Sequence, residues 1–237
     1  VPFMICVASM SILTSWWYAR EVEITPIKMG WADIRVEAGP LLKLGVAFMA
    51  TALMTTGTFY LIRVLVVRQL GLDAAGLYQA AVTLSVLYVG FIIEAMGKDY
   101  YPRLTAVARD NAACNRLVNE QTEVGVLLAV PGILATLTFT PIILHFFYSI
   151  KFIAAYEILR WQILGILARV IIWPMAYIII AKGQTKLFFW TEFLANVMLL
   201  TLTWLGVFFF GLPGTGMAFF GMYLFYGILI FFVVKRI

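Results

Sequence analysis

The sequence predicts an all-α integral membrane protein, a polytopic helical bundle. Of the 237 residues, 63% are hydrophobic and 12% are charged, against about 25% charged in a soluble domain. Apolar runs roughly 20 residues long recur along the whole chain, the length a helix needs to cross hydrocarbon. The runs are continuous and rich in Leu, Ala, Met and Phe, whereas a transmembrane barrel would alternate polar and apolar residues. The net charge of +5 does not point to nucleic acid. No aromatic-plus-basic recognition motif accompanies it, and basic residues at span ends set topology.

Seven spans are expected in order. The first covers residues 1–18 and ends in the interfacial cluster Trp16, Trp17, Tyr18. Residues 19–39 are polar, with Ile27, Trp31 and Ile34 on one helical face opposite Lys28, Asp33 and Arg35, which predicts an amphipathic linker on the membrane surface. Pro40 opens the second span, 41–70. A tight turn at Gly71 leads to the third, 76–97. A polar stretch, 98–123, is helical in pattern after Pro102. The fourth span, 124–148, carries Pro131 and Pro141, and the fifth, 156–181, carries Pro174. Such prolines mark kinks in membrane helices. The sixth span is 187–210. A turn at Gly211-Leu212-Pro213-Gly214 leads to the seventh, which ends at Lys235-Arg236.

Basic residues concentrate on alternate connections. Arg20, Lys28, Arg35 and Lys43 form one set, then Lys98, Arg103, Arg109 and Arg116, then Lys182 and Lys186, then Lys235 and Arg236. The opposite connections hold Arg68 and Lys151. The positive-inside rule assigns the richer set to the cytoplasm. Val1 falls inside an apolar run with no initiator Met and no signal-peptide n-region, so a fragment of a longer chain is expected. Cys6, Cys114 and the lone His145 have no spacing that builds a disulfide framework or a metal site. No metal, cofactor or catalytic residue is expected.

Several motifs carry a resemblance. Pro40-Leu41-Leu42-Lys43-Leu44-Gly45-Val46, then Arg63-Val64-Leu65-Val66-Val67-Arg68-Gln69-Leu70-Gly71, then Ala75-Gly76-Leu77-Tyr78-Gln79 resemble the opening of the C-terminal lobe of polysaccharide flippases. Tyr101-Pro102-Arg103-Leu104, Lys151-Phe152, Trp161-Gln162-Ile163-Leu164-Gly165 and Ala181-Lys182-Gly183 are similar to the O-antigen and enterobacterial-common-antigen type. These belong to the multidrug/oligosaccharidyl-lipid/polysaccharide exporter superfamily. The resemblance covers residue 39 to the C-terminus. It implies a MATE-like transporter of two six-helix lobes around a central cavity. Here 1–18 would be the last helix of the N-terminal lobe, 19–39 the cytoplasmic linker and 40–237 the C-terminal lobe. It implies a non-enzymatic protein of the bacterial inner membrane that moves undecaprenyl-diphosphate-linked oligosaccharide from the cytoplasmic to the periplasmic leaflet by alternating access. A proton or sodium gradient would couple the cycle, and a polysaccharide polymerase and a chain-length regulator would be partners. Many relatives carry an acid at the position of Ile62 and some carry one at the position of Ile166, and this chain has neither.

Candidate residues follow. Arg169 lies near the middle of the fifth span. An arginine keeps its charge wherever it is placed, and at bilayer depth this costs about 2.5–3.5 kcal/mol on insertion scales. It faces either the substrate path, where a guanidinium forks onto phosphate oxygens, or an internal ion pair or backbone-carbonyl contact within the lobe. Arg63 is two turns inside the second span and is a second cavity candidate, whereas Arg68 can snorkel to headgroups. Glu192 and Asn196 share a face at i, i+4, for ion coupling or for holding the bundle together. Glu94 with Lys98, and Glu157 with Arg160, have surface-pair spacing, and Glu94 is also a candidate for ion coupling. Gln162, Trp161 and Trp173 could meet sugars, although tryptophans near span ends are commonly interface anchors. Tyr78 and Gln79 are candidates for the periplasmic mouth. Two other readings compete. A multidrug or small-metabolite antiporter needs deep acids, and the central charge here is basic. A membrane enzyme of polysaccharide assembly needs a large periplasmic loop, and the connections are short.

Overall fold

The computed structural model describes residues 2–20, 30–147 and 150–237. All its elements are helices: α1 (Pro2–Ala19), α2 (Trp31–Leu70), α3 (Leu72–Ala106), α4 (Asn111–Phe147), α5 (Tyr156–Ala181), α6 (Thr185–Phe210) and α7 (Pro213–Val234), with a 3-10 helix, Ile150–Ala155, before α5. Among the described residues five helices are long and apolar enough to cross a membrane, and six if the bent α3 is one span. The chain is a multi-pass membrane protein. The expected first span lies over α1, which is not among these six.

The chain divides into two compact units, Val1–Leu42 and Lys43–Ile237. In the first, α1 is exposed from Cys6 onward. Its hydroxyls turn back on the helix: Ser11 Oγ donates to Val7 O and Thr14 Oγ1 to Met10 O, both at 2.9 Å. That satisfies polar groups on an otherwise apolar surface. The Arg20 guanidinium lies 4.0 Å from the centre of the exposed Trp16 ring, a cation–π contact. Ile27 of the expected linker face lies outside the described residues. Trp31 already belongs to α2, which continues through Pro40 without a break. Its membrane-crossing stretch, Leu42–Leu70, matches the expected second span, while the helix itself begins before Pro40, whose missing N–H removes only one hydrogen bond from a ladder 40 residues long.

In the second unit the polar stretch over 98–123 is helical after Pro102, as expected, apart from one turn. α3 continues to Ala106 and α4 begins at Asn111, so these residues extend two helices past their apolar cores and only a four-residue turn separates them. Asp110 caps α4, its Oδ1 accepting from the backbone N–H of Ala112 (2.9 Å) and Ala113 (3.1 Å). α3 bends by 46° between Leu72–Leu87 and Ile92–Ala106. α5 is the hub, packing against α3, α4, α6 and α7. Ile158, Leu159, Ile163, Ile166 and Val170 are all nearly inaccessible and form its core face.

Glycines let α7 approach its neighbours closely. A Cβ on Gly165 of α5 would stand 2.5 Å from Phe219 Cδ1, and one on Gly216 of α7 would stand 2.5 Å from Ile158 O. At the α6–α7 crossing Gly206 and Gly214 lie backbone to backbone, the small-residue packing common between membrane helices. In contrast, among the described residues α2 makes no extended backbone packing with any helix of this unit. Cavities occupy the space beside it.

Candidate functional site

The site is built from helical stripes. On α5, Arg169, Trp173 and Tyr177 recur at four-residue spacing, so their side chains stack along one face over about 12 Å. Thr55, Phe59 and Arg63 repeat that spacing on α2, and Phe188, Glu192 and Asn196 repeat it on α6. α7 adds Phe219, Tyr223 and Tyr226. These stripes line two adjoining cavities, of about 190 Å³ and about 620 Å³. A third, about 350 Å³, lies between α3 and α5. Arg169 lines all three.

Arg169 is half-buried. Among the described residues it has no hydrogen bond and no ion pair. The internal ion pair expected as one alternative is not formed. The nearby carboxylate is engaged elsewhere: Tyr226 OH donates to Glu192 Oε1 at 2.6 Å. Asn196 Nδ2 donates to Glu192 O at 2.9 Å and to Thr55 Oγ1 at 3.3 Å. Glu192 and Asn196 thus tie α6 to α7 and to α2.

Toward the α2–α3 turn, Arg63 donates to the Gln79 side-chain oxygen, and Gln79 Nε2 donates in turn to Thr83 Oγ1 at 3.2 Å. This second arginine is held by a neutral amide, so its charge is not compensated by an acid. Gln162 is 2% exposed, and its Oε1 has no hydrogen-bond partner among the described residues. A buried polar atom in that state costs about 1–3 kcal/mol. Tyr78, 5% exposed, also lines the larger cavity. Among the described residues no group of three His, Cys, Asp or Glu could hold a metal ion.

Residues 5–157 match the family described as Polysaccharide biosynthesis protein. The chain belongs to that family. No curated protein matches it. Its fold is similar to that of a crystal structure of a MATE P26A mutant, with a TM-score of 0.75 at 11% identity, over 97% of this chain and 53% of that one. The MATE-like helical fold expected from the sequence is therefore observed, and the chain spans about half the length of that structure.

This polysaccharide biosynthesis protein brings together Arg169, Arg63, Gln162, Tyr78, Gln79 and Glu192 around one cavity. Asn196 lies in the adjoining one. Glu94 stands apart, on the far side of Arg169, paired with Lys98 at 3.4 Å with both side chains largely exposed. Trp161 lines none of these cavities and packs on Phe220, ring centres 6.0 Å apart. Glu157 and Arg160 form an exposed pair at 3.4 Å. Arg68 is exposed in a shallow groove between α2 and α6. Ile62 and Ile166 are each 1% exposed. They face the helix core, so an acid at either position in this chain would be buried away from the cavity. The sequence reading missed Tyr226 and Thr55 as partners of the α6 pair, and Tyr177 and Tyr223 as lining. The signal for Tyr177 was available, since it continues the Arg169–Trp173 spacing.

Proposed function

We propose that this protein is a half of a lipid-linked oligosaccharide flippase, in which Arg169 receives the diphosphate as it crosses mid-membrane. The observation that carries this is a guanidinium without a partner at the meeting point of three cavities. A membrane protein keeps such a costly charge when a substrate uses it. A diphosphate offers paired oxygens that match the planar fork of arginine. Arg63, along the same cavity and held by a neutral amide, supplies a second cation toward the periplasmic side. The only acid lining the two adjoining cavities among the described residues is Glu192, already engaged by Tyr226, so an anionic headgroup suits them better than a cationic drug. The substrate is an undecaprenyl-diphosphate-linked repeat unit. The polyprenyl chain stays in lipid, and the membrane is the bacterial inner membrane. The test is binding of farnesyl diphosphate to the full-length protein in detergent. Arg169→Gln is expected to weaken it about tenfold or more, equivalent to about 1.4 kcal/mol or more. Equal affinity in the two proteins would remove Arg169 from the substrate path.

Glu192 is our assignment for ion coupling. Its carboxylate joins α6 to α7 beside Arg169, and a proton or sodium ion taken up there would compete with the Tyr226 hydrogen bond. Glu192→Gln keeps an acceptor for Tyr226 and removes the charge. In reconstituted vesicles this variant is expected to equilibrate substrate between leaflets and to lose its response to an imposed proton or sodium gradient. An unchanged gradient response would reject the assignment.

A further inference from the structure

The third cavity, beyond Arg169 toward the α3–α4 turn, is not explained by a diphosphate. Its α5 wall is aromatic. Trp173 and Tyr177 lie with ring centres 4.5 Å apart, tilted by 49°, and both are only half-buried. Both line the cavity. Trp173 is backed by Tyr100, ring centres 5.7 Å apart, and Tyr100 is fixed by its hydroxyl, which donates to Pro174 O at 2.7 Å. On the α3 side Gly97 allows the indole to lie close, since a Cβ there would be 3.2 Å from Trp173 Cζ2. The same wall carries the Glu94–Lys98 pair. At about 350 Å³ the volume is at the small end of the range for small-molecule sites, about 300–1,000 Å³.

These groups match one chemistry. The faces of aromatic rings are electron-rich, and the C–H face of a pyranose is the complementary, weakly positive surface. A carboxylate accepts from sugar hydroxyls and an ammonium donates to them. Arg169 is four residues from Trp173 on the same face, so a phosphate held by the arginine places whatever is attached to it beside the indole. We propose that this cavity is a subsite for the sugar attached directly to the diphosphate, with Trp173 and Tyr177 as the stacking platform and Glu94 and Lys98 as its hydrogen-bonding rim. The proposal rests on the reading that Arg169 holds the diphosphate. It adds that this chain discriminates among glycans at the first residue.

The experiment measures the affinity of full-length protein for farnesyl diphosphate and for four farnesyl-diphosphate monosaccharides, carrying glucose, galactose, N-acetylglucosamine or rhamnose. At least one sugar-bearing probe is expected to bind about tenfold more tightly than the bare diphosphate. Trp173→Leu is expected to bring that ratio close to one, and Trp190→Leu, exposed on α6, to leave it intact. If Trp173→Leu fails to fold, Tyr177→Leu is expected to lower the ratio in the same sense. If the bare diphosphate binds and no sugar improves on it, or if the ratio survives loss of the indole, the subsite is wrong while the assignment of Arg169 stands. If none of the five probes binds, the assignment of Arg169 fails and the subsite fails with it.

Discussion

Cells whose full-length protein carries Arg169→Ala are expected to lose surface polysaccharide while the protein itself remains in the membrane. The two halves of that expectation have opposite energetic signs. Removing a charge from mid-bilayer lowers the cost of insertion by about 2.5–3.5 kcal/mol on insertion scales, so protein abundance should hold or rise. Transport should be slowed by about thirtyfold or more, because truncating one side of a desolvated charge contact costs about 2–5 kcal/mol. A merely misfolded variant would lose both together. Arg169→Lys is expected to fall between: it restores the charge but not the planar fork that meets two phosphate oxygens at once. Immunoblotting of membranes beside polysaccharide staining reads both quantities. Normal polysaccharide in the alanine variant would overturn the substrate-path reading.

Gly214→Val is the second large effect, and it is structural. A Cβ at Gly214 would run into the carbonyl of Gly206, and a Cβ at Gly206 would stand 2.5 Å from Gly214 O. The obstacle in each case is backbone, which cannot rotate aside, so the α6–α7 crossing must open. Overpacking of this kind costs about 3 kcal/mol, expected as a marked drop in thermal or denaturant midpoint in detergent. Gly76→Ala is the control. Nothing lies within 4 Å of a Cβ there, and alanine in a helix gains about 1 kcal/mol over glycine, so its stability should be unchanged or slightly raised. Equal midpoints for Gly214→Val and the parent would mean that the crossing has slack that the backbone distances deny.

Charge was the most legible signal in the sequence. Arg169 stands out because nothing near it in the chain is ionised, and the spacing of Glu192 and Asn196 correctly put both on one face. Their partners were not legible. Tyr226 lies 34 residues from Glu192, on a helix crowded with aromatics, and only the α6–α7 crossing distinguishes it from its neighbours. Trp173 is ambiguous in sequence, because tryptophan so commonly anchors a span end; in the structure its indole lines a cavity beside Arg169 and packs on Tyr100 and Tyr177. Span ends and helix ends differ for a separate reason. Residues 98–123 lose hydrophobicity but not helical propensity, so α3 and α4 simply continue into the polar zone. Hydropathy reports where the membrane ends, and it says nothing of where hydrogen bonding along the backbone ends.

The glycine contacts among α5, α6 and α7 have a practical consequence for watching this protein work. Where two helices meet through side chains, rotamers can repack and the helices can slide. Where carbonyl meets Cα, no soft layer exists to absorb a shift. These three helices therefore form a chassis, and α2, held to it by side-chain contacts such as Thr55 with Asn196 and Phe48 with Phe188 rather than backbone to backbone, is the part whose contacts can repack. Spin labels paired between α6 and α7 should give one narrow distance in every state, a built-in ruler. Labels paired between α7 and the Thr55–Arg63 stretch of α2 should broaden or split when a ligand enters.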